Sequence, residues 1–132
     1  MDDITQQWLE RADYDLETAR ALLKSCRYLY VAFMCQQCLE KYLKASIAIQ
    51  GQAPPFIHNL PKLAQASPLM ENMSAAFRNL LADVNPFYIK ARYGEYKASL
   101  SKICDRKLAS HFFKKTGEFV VWLKARLKSS SQ

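Results

Sequence analysis

Residues 32–45 read AFMCQQCLEKYLKA, and this stretch decides the kind of fold that the chain forms. Gly51 follows it closely, and Pro54 and Pro55 lie just beyond, which is how helices usually end. The stretch therefore predicts a long helix over residues 28–50. Its apolar positions are spaced three or four apart, as on one buried helix face, at Tyr28, Val31, Ala32, Cys35, Leu39, Tyr42, Leu43 and Ile47.

A second long helix is predicted before this one, over residues 5–24. Its apolar stripe is formed by Ile4, Trp8, Ala12, Leu16, Ala19, Leu22 and Leu23. Only residues 25–27 separate the two helices. A link this short predicts that they form an antiparallel hairpin.

Helical patterns continue beyond Gly51. A connector carries a short helix around Leu60, a third long helix is predicted from about Glu71 to Pro86, and a last helix spans residues 98–127. We therefore predict an all-α protein, an antiparallel up-and-down bundle of four long helices plus a short connector helix. Residues 1–128 are expected to form one domain and residues 129–132 a disordered tail.

The positive charge is concentrated at one end of the chain. The net charge is +7, yet residues 1–89 hold 8 basic and 9 acidic residues, whereas residues 90–132 hold 11 basic and 3 acidic residues. Such a distribution is expected if the last third faces an anionic polymer such as RNA. Solvated helix faces would give the same composition, so both interpretations stay open.

The N-terminal residues lack the basic and then apolar pattern of a secretory signal, and no apolar run approaches the ~18 residues of a membrane span. A cytoplasmic location is therefore expected, with reduced cysteines. Cys35 and Cys38 supply only half of a structural zinc site, and no strand precedes them as in a thioredoxin-type motif. We expect no metal or other cofactor, and we interpret both cysteines as small core residues.

Four blocks of the sequence resemble the HEPN domain family. AFMCQQCLEKYLKA is similar to the family's second-helix pattern, in which small residues, usually Ala, stand at the positions of Cys35 and Cys38. RADYDLETARALL (residues 11–23) resembles the first-helix pattern, IHNL (57–60) is similar to the family's H-D-L, and ARY (91–93) is similar to its A-R-Y-P. The blocks occur in the family's order.

The resemblance implies a helical bundle that often dimerises. It also implies a partner, because small prokaryotic members are commonly encoded beside a minimal nucleotidyltransferase in toxin–antitoxin or regulatory pairs. Many members are metal-independent ribonucleases with an Arg-x(4–6)-His motif, in which the Arg and His bind the scissile phosphate and assist proton transfer.

Two placements of that motif are open. Arg92 fits the family's Arg position, but the His is absent from the residues five to seven places on, and Tyr96 is among the polar groups nearby. Arg106 and His111 satisfy the spacing literally. Five residues along an unbroken helix leave two side chains roughly 140° apart, so this pair would need a later helix start or a dimer to meet. His111 is otherwise expected to be a half-buried packing residue.

Other polar residues are further candidates for binding. Lys90, Arg92 and Tyr93 form the best phosphate- or nucleotide-binding group, because Arg grips phosphate bidentately and Tyr offers a stacking face. His58 is expected to organise the loop before the short helix. Four polar residues of the second helix are expected to form a polar helix contact or a dimer surface, namely Gln36, Gln37, Glu40 and Lys41. Glu40 and Lys44 also form a favourable i, i+4 pair worth only ~0.3 kcal/mol.

The leading functional hypothesis is a homodimeric HEPN-type module that acts with a minimal nucleotidyltransferase partner in a toxin–antitoxin-like or regulatory pair. Its basic C-terminal third is expected to bind RNA or nucleotide. The alternative is a metal-independent HEPN ribonuclease toxin that uses Arg92 with Tyr96, or Arg106 with His111. Whether the protein is an enzyme therefore stays open at this point.

Overall fold

The computed structural model describes residues 1–88 and 102–130. In these ranges, every regular element is a helix, which confirms the predicted all-α bundle. No helix in the same ranges is long and apolar enough to span a bilayer. Five α-helices lie wholly within these ranges, namely α1 Asp3–Lys24, α2 Tyr28–Ala48, α3 Leu60–Ala66, α4 Ala75–Val84 and α5 Arg106–Ser130, and residues 102 and 103 are also helical.

Helices α1 and α2 form the predicted antiparallel hairpin, and their joint has a defined geometry. The Cys26 N–H donates to the Leu23 carbonyl (3.2 Å), and the Arg27 N–H donates to the Leu22 carbonyl (2.9 Å). This is the Schellman arrangement, which requires a left-handed residue after the helix. Cys26 occupies that position with φ 63°.

Helix α2 lies at the centre of the bundle and contacts each of the other four helices. It is therefore buried on nearly all sides, and its core includes residues off the predicted stripe such as Cys38 and Ala45. The short helix predicted around Leu60 is confirmed as α3, with Leu60 and Leu63 fully buried.

The buried face of α1 follows the predicted stripe except at Ile4, which is 62% exposed; the other predicted residues are buried or packed against the core. Leu9 and Asp15 are buried in addition. Asp15 pairs with the Lys41 ammonium of α2. Periodicity alone assigns such an aspartate to the solvent side.

A polar contact also links α1, α2 and α5. The Tyr42 hydroxyl donates to Asp13, and the Lys124 ammonium lies 2.8 Å from the same carboxylate. Burial, together with this hydrogen bond, raises the pKa of Tyr42 above its ordinary value. Asp13 therefore bridges a buried phenol and a half-exposed cation.

Polar side chains cap the starts of two helices, so α4 begins later than predicted and the predicted last helix is interrupted at residues 104 and 105. Residues 98–101 of that predicted helix lie outside the described residues, and residues 102 and 103 are helical. Ser74 accepts from the Phe77 N–H (3.1 Å), so α4 starts at Ala75 after a short 3₁₀ turn. Asp105 accepts from the Leu108 N–H (2.9 Å) in the same way, so α5 starts at Arg106. These caps satisfy N–H groups that a helix leaves without partners at its start.

Candidate functional site

Cys35 and Cys38 both lie in the core, as predicted. Each side chain is fully buried, and burial raises the pKa of the Cys35 thiol to about 12 and that of Cys38 above its ordinary value. A thiolate is the form that binds metal or acts as a nucleophile. Within residues 1–88 and 102–130, no group of three metal-ligating side chains comes together. The cysteines therefore act as small apolar residues at the centre of the bundle.

Arg106 and His111 do not converge. Both belong to α5, and Arg106 is its first residue, so the later start of this helix does not bring them together. Both side chains are exposed and project roughly 140° apart around the helix. The expectation that His111 is half-buried was wrong, because the neighbouring Phe112 and not His111 faces the core.

The other predicted site residues cannot be compared with the fold. Lys90, Arg92, Tyr93 and Tyr96 lie outside the described residues. Their proposed roles therefore stay predictions.

Helix α5 presents cations on the side opposite its core. Its buried side chains, among them Phe112 and Phe119, occupy one face. Five exposed cations fall within about 100° of the helix circumference on the other side, and one of them, Lys124, pairs with Asp13. We call the other four the basic face of α5. They are Arg106, Lys107, Lys114 and Lys128.

A buried carboxylate of α2, that of Glu40, contacts the imidazole ring of His58. Glu40 Oε1 lies 2.9 Å from His58 Nδ1, and Glu40 Oε2 lies 3.1 Å from the Lys44 ammonium. The Glu40 and Lys44 side chains are only 6% and 7% exposed. The sequence predicted only a weak i, i+4 pair worth ~0.3 kcal/mol. The pair is instead an interior ion pair, because α2 is covered on the side that carries it.

The backbone of His58 is fixed as well. Gln36 Nε2 donates to the His58 carbonyl (2.9 Å), and Gln36 is itself fully buried. Tyr88 stacks on the imidazole at a ring-centroid distance of 4.0 Å. The predicted role of His58 in organising this loop is therefore confirmed. The polar residues Gln36 and Glu40 serve a contact within the chain.

An open cleft of about 410 Å³ adjoins this histidine. Residues 57–62 form one side of it, and residues 85–88 form the other. His58 was a candidate from the sequence, whereas the cleft and its Lys62 were not predicted, because the two sides are more than twenty residues apart in the chain. The sequence signal that indicates such a cleft is IHNL (residues 57–60) followed by Lys62, together with the Asn85-Pro86 turn later in the chain. Its lining residues are Ile57, His58, Asn59, Lys62, Asn85, Pro86 and Tyr88.

Similar folds occur among solved structures. The crystal structure of TT1696 from Thermus thermophilus superimposes with a TM-score of 0.82 at 19% identity, covering 94% of this chain and 98% of that one. An archaeal HEPN homologue, ST0689, superimposes with a TM-score of 0.74 at 21% identity, covering 93% and 97%. At these identities the likeness concerns the fold alone. No curated protein matches the chain significantly.

The fold and the comparisons define a class of protein, an all-helical bundle built around a central buried helix. The family model described as "HEPN domain" matches residues 5–126. This chain therefore belongs to the HEPN domain family, as the four sequence blocks predicted.

Proposed function

We propose that this protein is a HEPN module that acts with a minimal nucleotidyltransferase partner in a toxin–antitoxin-like or regulatory pair, and that its basic C-terminal third binds RNA or nucleotide. The observation that carries the binding part is the basic face of α5, which lies opposite the core and offers cations to a phosphate backbone. The partner is proposed from the family resemblance. A cytoplasmic location and a homodimeric state belong to the same proposal.

A binding role is favoured over catalysis by the positions of Arg106 and His111. A nuclease site needs both groups on one phosphate, and within one chain these two side chains diverge. The basic face can bind a polyanion without either group acting on a bond. Its cations lie along the helix and do not converge on one point.

The partner is tested by co-expression with the minimal nucleotidyltransferase encoded in the same genome. We expect a complex that survives purification on a tag carried by either protein. Failure of the two folded proteins to associate at micromolar concentration would remove the partner from the proposal.

Binding of RNA is tested by its salt dependence. Affinity for a single-stranded RNA is expected to fall linearly on a logarithmic salt scale, with a slope of about −0.7 per phosphate contacted. The double variant Lys107→Gln/Lys114→Gln should make that slope shallower by about 1.4. Arg11→Gln, an exposed charge change on α1, is the control. Equal effects of both variants would argue against the basic face.

The second candidate function is metal-independent ribonuclease activity. It is favoured by the exposure of Arg106 and His111, which allows the two groups to meet across the two-fold axis of a homodimer. Labelled RNA incubated in EDTA would then be cleaved, and Arg106→Ala or His111→Ala would abolish cleavage. Loss of cleavage only in Arg92→Ala or Tyr96→Phe would place the site in the other predicted motif. Light scattering in the same buffer reports whether the protein is dimeric.

A further inference from the structure

We propose that the cleft beside His58 binds a phosphate monoester, with His58 and Lys62 as the groups that recognise the phosphate. The cleft is built from α3, the loop before it and the turn after α4, so it is separate from the basic face of α5. The inference does not rest on the proposed function, since its test needs neither the partner protein nor that face.

The described lining of the cleft offers hydrogen-bond donors. Asn59 Oδ1 accepts from the Lys62 N–H (3.0 Å), and Asn85 Oδ1 accepts from the Leu60 N–H (2.8 Å). Each amide oxygen is thus used by the backbone, which leaves the NH₂ groups as the donors of these two side chains. Lys62 adds an ammonium, and the described lining contains no carboxylate. Amide donors together with an ammonium suit an anion that carries several hydrogen-bond acceptors.

The charges behind His58 are balanced. Glu40 is the carboxylate that contacts the ring, and Lys44 contacts its other oxygen, so the buried pair carries no net charge. An anion in the cleft therefore meets the positive Lys62, and no free carboxylate of the described lining opposes it. Gln36 fixes the His58 backbone and Tyr88 covers one ring face, so little side-chain entropy is lost when a ligand binds.

The ring nitrogen of His58 that the described residues leave free favours phosphate among anions. Because Nδ1 faces Glu40, the ring nitrogen that remains for a ligand is Nε2, which has no hydrogen-bond partner among the described residues. An imidazole held in this way presents Nε2 as an acceptor, or as a donor when the ring carries a second proton. A phosphate monoester matches both forms near neutral pH, because its second pKa is about 6 and it exists with and without a P–OH group.

The size of the cleft indicates an ester and not inorganic phosphate alone. Its 410 Å³ lies within the range of about 300–1,000 Å³ for small-molecule sites. Ile57, Pro86 and Tyr88 give it an apolar wall beside the donors. That wall suits the organic group of the ester. The terminal phosphate of an RNA and a small aromatic phosphate ester share this chemistry.

The chain has only two histidines, which makes the test direct. Imidazole ¹⁵N resonances are recorded while phenyl phosphate, or a short oligoribonucleotide with a 5′-phosphate, is titrated into the full-length protein. We expect the His58 Nε2 resonance to shift and the exposed His111 to stay unchanged with phenyl phosphate. The same oligoribonucleotide with a 5′-hydroxyl is expected to leave His58 unchanged.

Variants decide whether the cleft residues are responsible. Lys62→Gln is exposed, so it should fold normally and weaken binding about tenfold or more, as loss of a charged hydrogen bond does. Lys24→Gln should leave the affinity unchanged. If both probes shift the His58 resonance, the cleft recognises phosphate monoesters in general. If only the 5′-phosphorylated oligoribonucleotide shifts it, the ligand is the terminal phosphate of an RNA. The proposal is overturned if neither probe moves His58 at millimolar concentration, if the 5′-hydroxyl strand moves it equally, or if both variants weaken binding alike.

Discussion

His58 Nδ1 lies 2.9 Å from Glu40 Oε1, although the two residues are 18 positions apart and only Glu40 is buried. A carboxylate in the interior of a central helix thus fixes a histidine at the surface. The same carboxylate neutralises Lys44 on its other side. One glutamate therefore links the stability of the bundle to the geometry of the cleft, and changing it should affect both.

The first prediction concerns this glutamate. Glu40→Gln should lower the free energy of unfolding by about 3 kcal/mol, because it leaves Lys44 as a buried cation without its charged partner. Urea unfolding followed by circular dichroism measures the change. Glu17→Gln is the matched control, since its pair with Arg20 is exposed and such pairs contribute about 0.5 kcal/mol or less. Similar losses in both variants would contradict the interior role of Glu40.

The second prediction is a loss of stability at alkaline pH that depends on the core thiols. Burial raises the pKa of Cys35 to about 12 and also raises that of Cys38, whereas an unfolded thiol has a pKa of about 8.5. The native state keeps these protons longer than the unfolded state. Their contribution is therefore fully present below about pH 8.5 and is lost as pH rises toward the folded values.

Urea unfolding at several pH values measures this loss. The free energy of unfolding should fall by up to about 1.4 kcal/mol per pH unit for each thiol. The double variant Cys35→Ala/Cys38→Ala removes both groups and should flatten the decline over the same range. An unchanged slope in this variant would show that other groups cause the alkaline loss.

A third prediction concerns thiol reactivity. Cys26 is exposed, and the other three cysteines are buried. A disulfide reagent at neutral pH should therefore modify one thiol quickly in the native protein and four after unfolding. Cys26→Ser should abolish the fast reaction while leaving three thiols reactive in denaturant. Two or more fast thiols in the native protein would mean that the bundle opens more readily than its packing implies.

The fourth prediction uses the left-handed joint between α1 and α2. Cys26 has φ 63°, a conformation that costs a residue with a Cβ about 1 kcal/mol and that glycine adopts freely. Cys26→Gly should therefore raise the melting temperature by a few degrees. Gly51→Ala is the reverse experiment. Gly51 has φ 79°, and a Cβ added there would meet no atom within 4 Å, so the variant should be less stable through backbone strain alone. Changes of the same sign in both variants would refute this account.

The sequence determined the helices and the family, because both depend on local information. The spacing of apolar residues predicted α1 and α2 to within about two residues, and Gly51 marked the end of α2. The starts of α4 and α5 were predicted less well. Ser74 and Asp105 set them through single hydrogen bonds, which compete with an apolar pattern that continues on both sides.

Only the tertiary structure decided which polar residues are interior. Periodicity placed Glu40 partly off the apolar stripe of α2 and predicted only a weak i, i+4 pair with Lys44, yet both are covered because α2 contacts each of the other described α-helices. His58 was recognised as a loop residue from the sequence. Its contacts with Glu40 and Tyr88 join segments 18 and 30 residues away, and no local pattern specifies such distances. Helix formation depends on neighbours in the chain, whereas the cleft depends on how the finished helices pack.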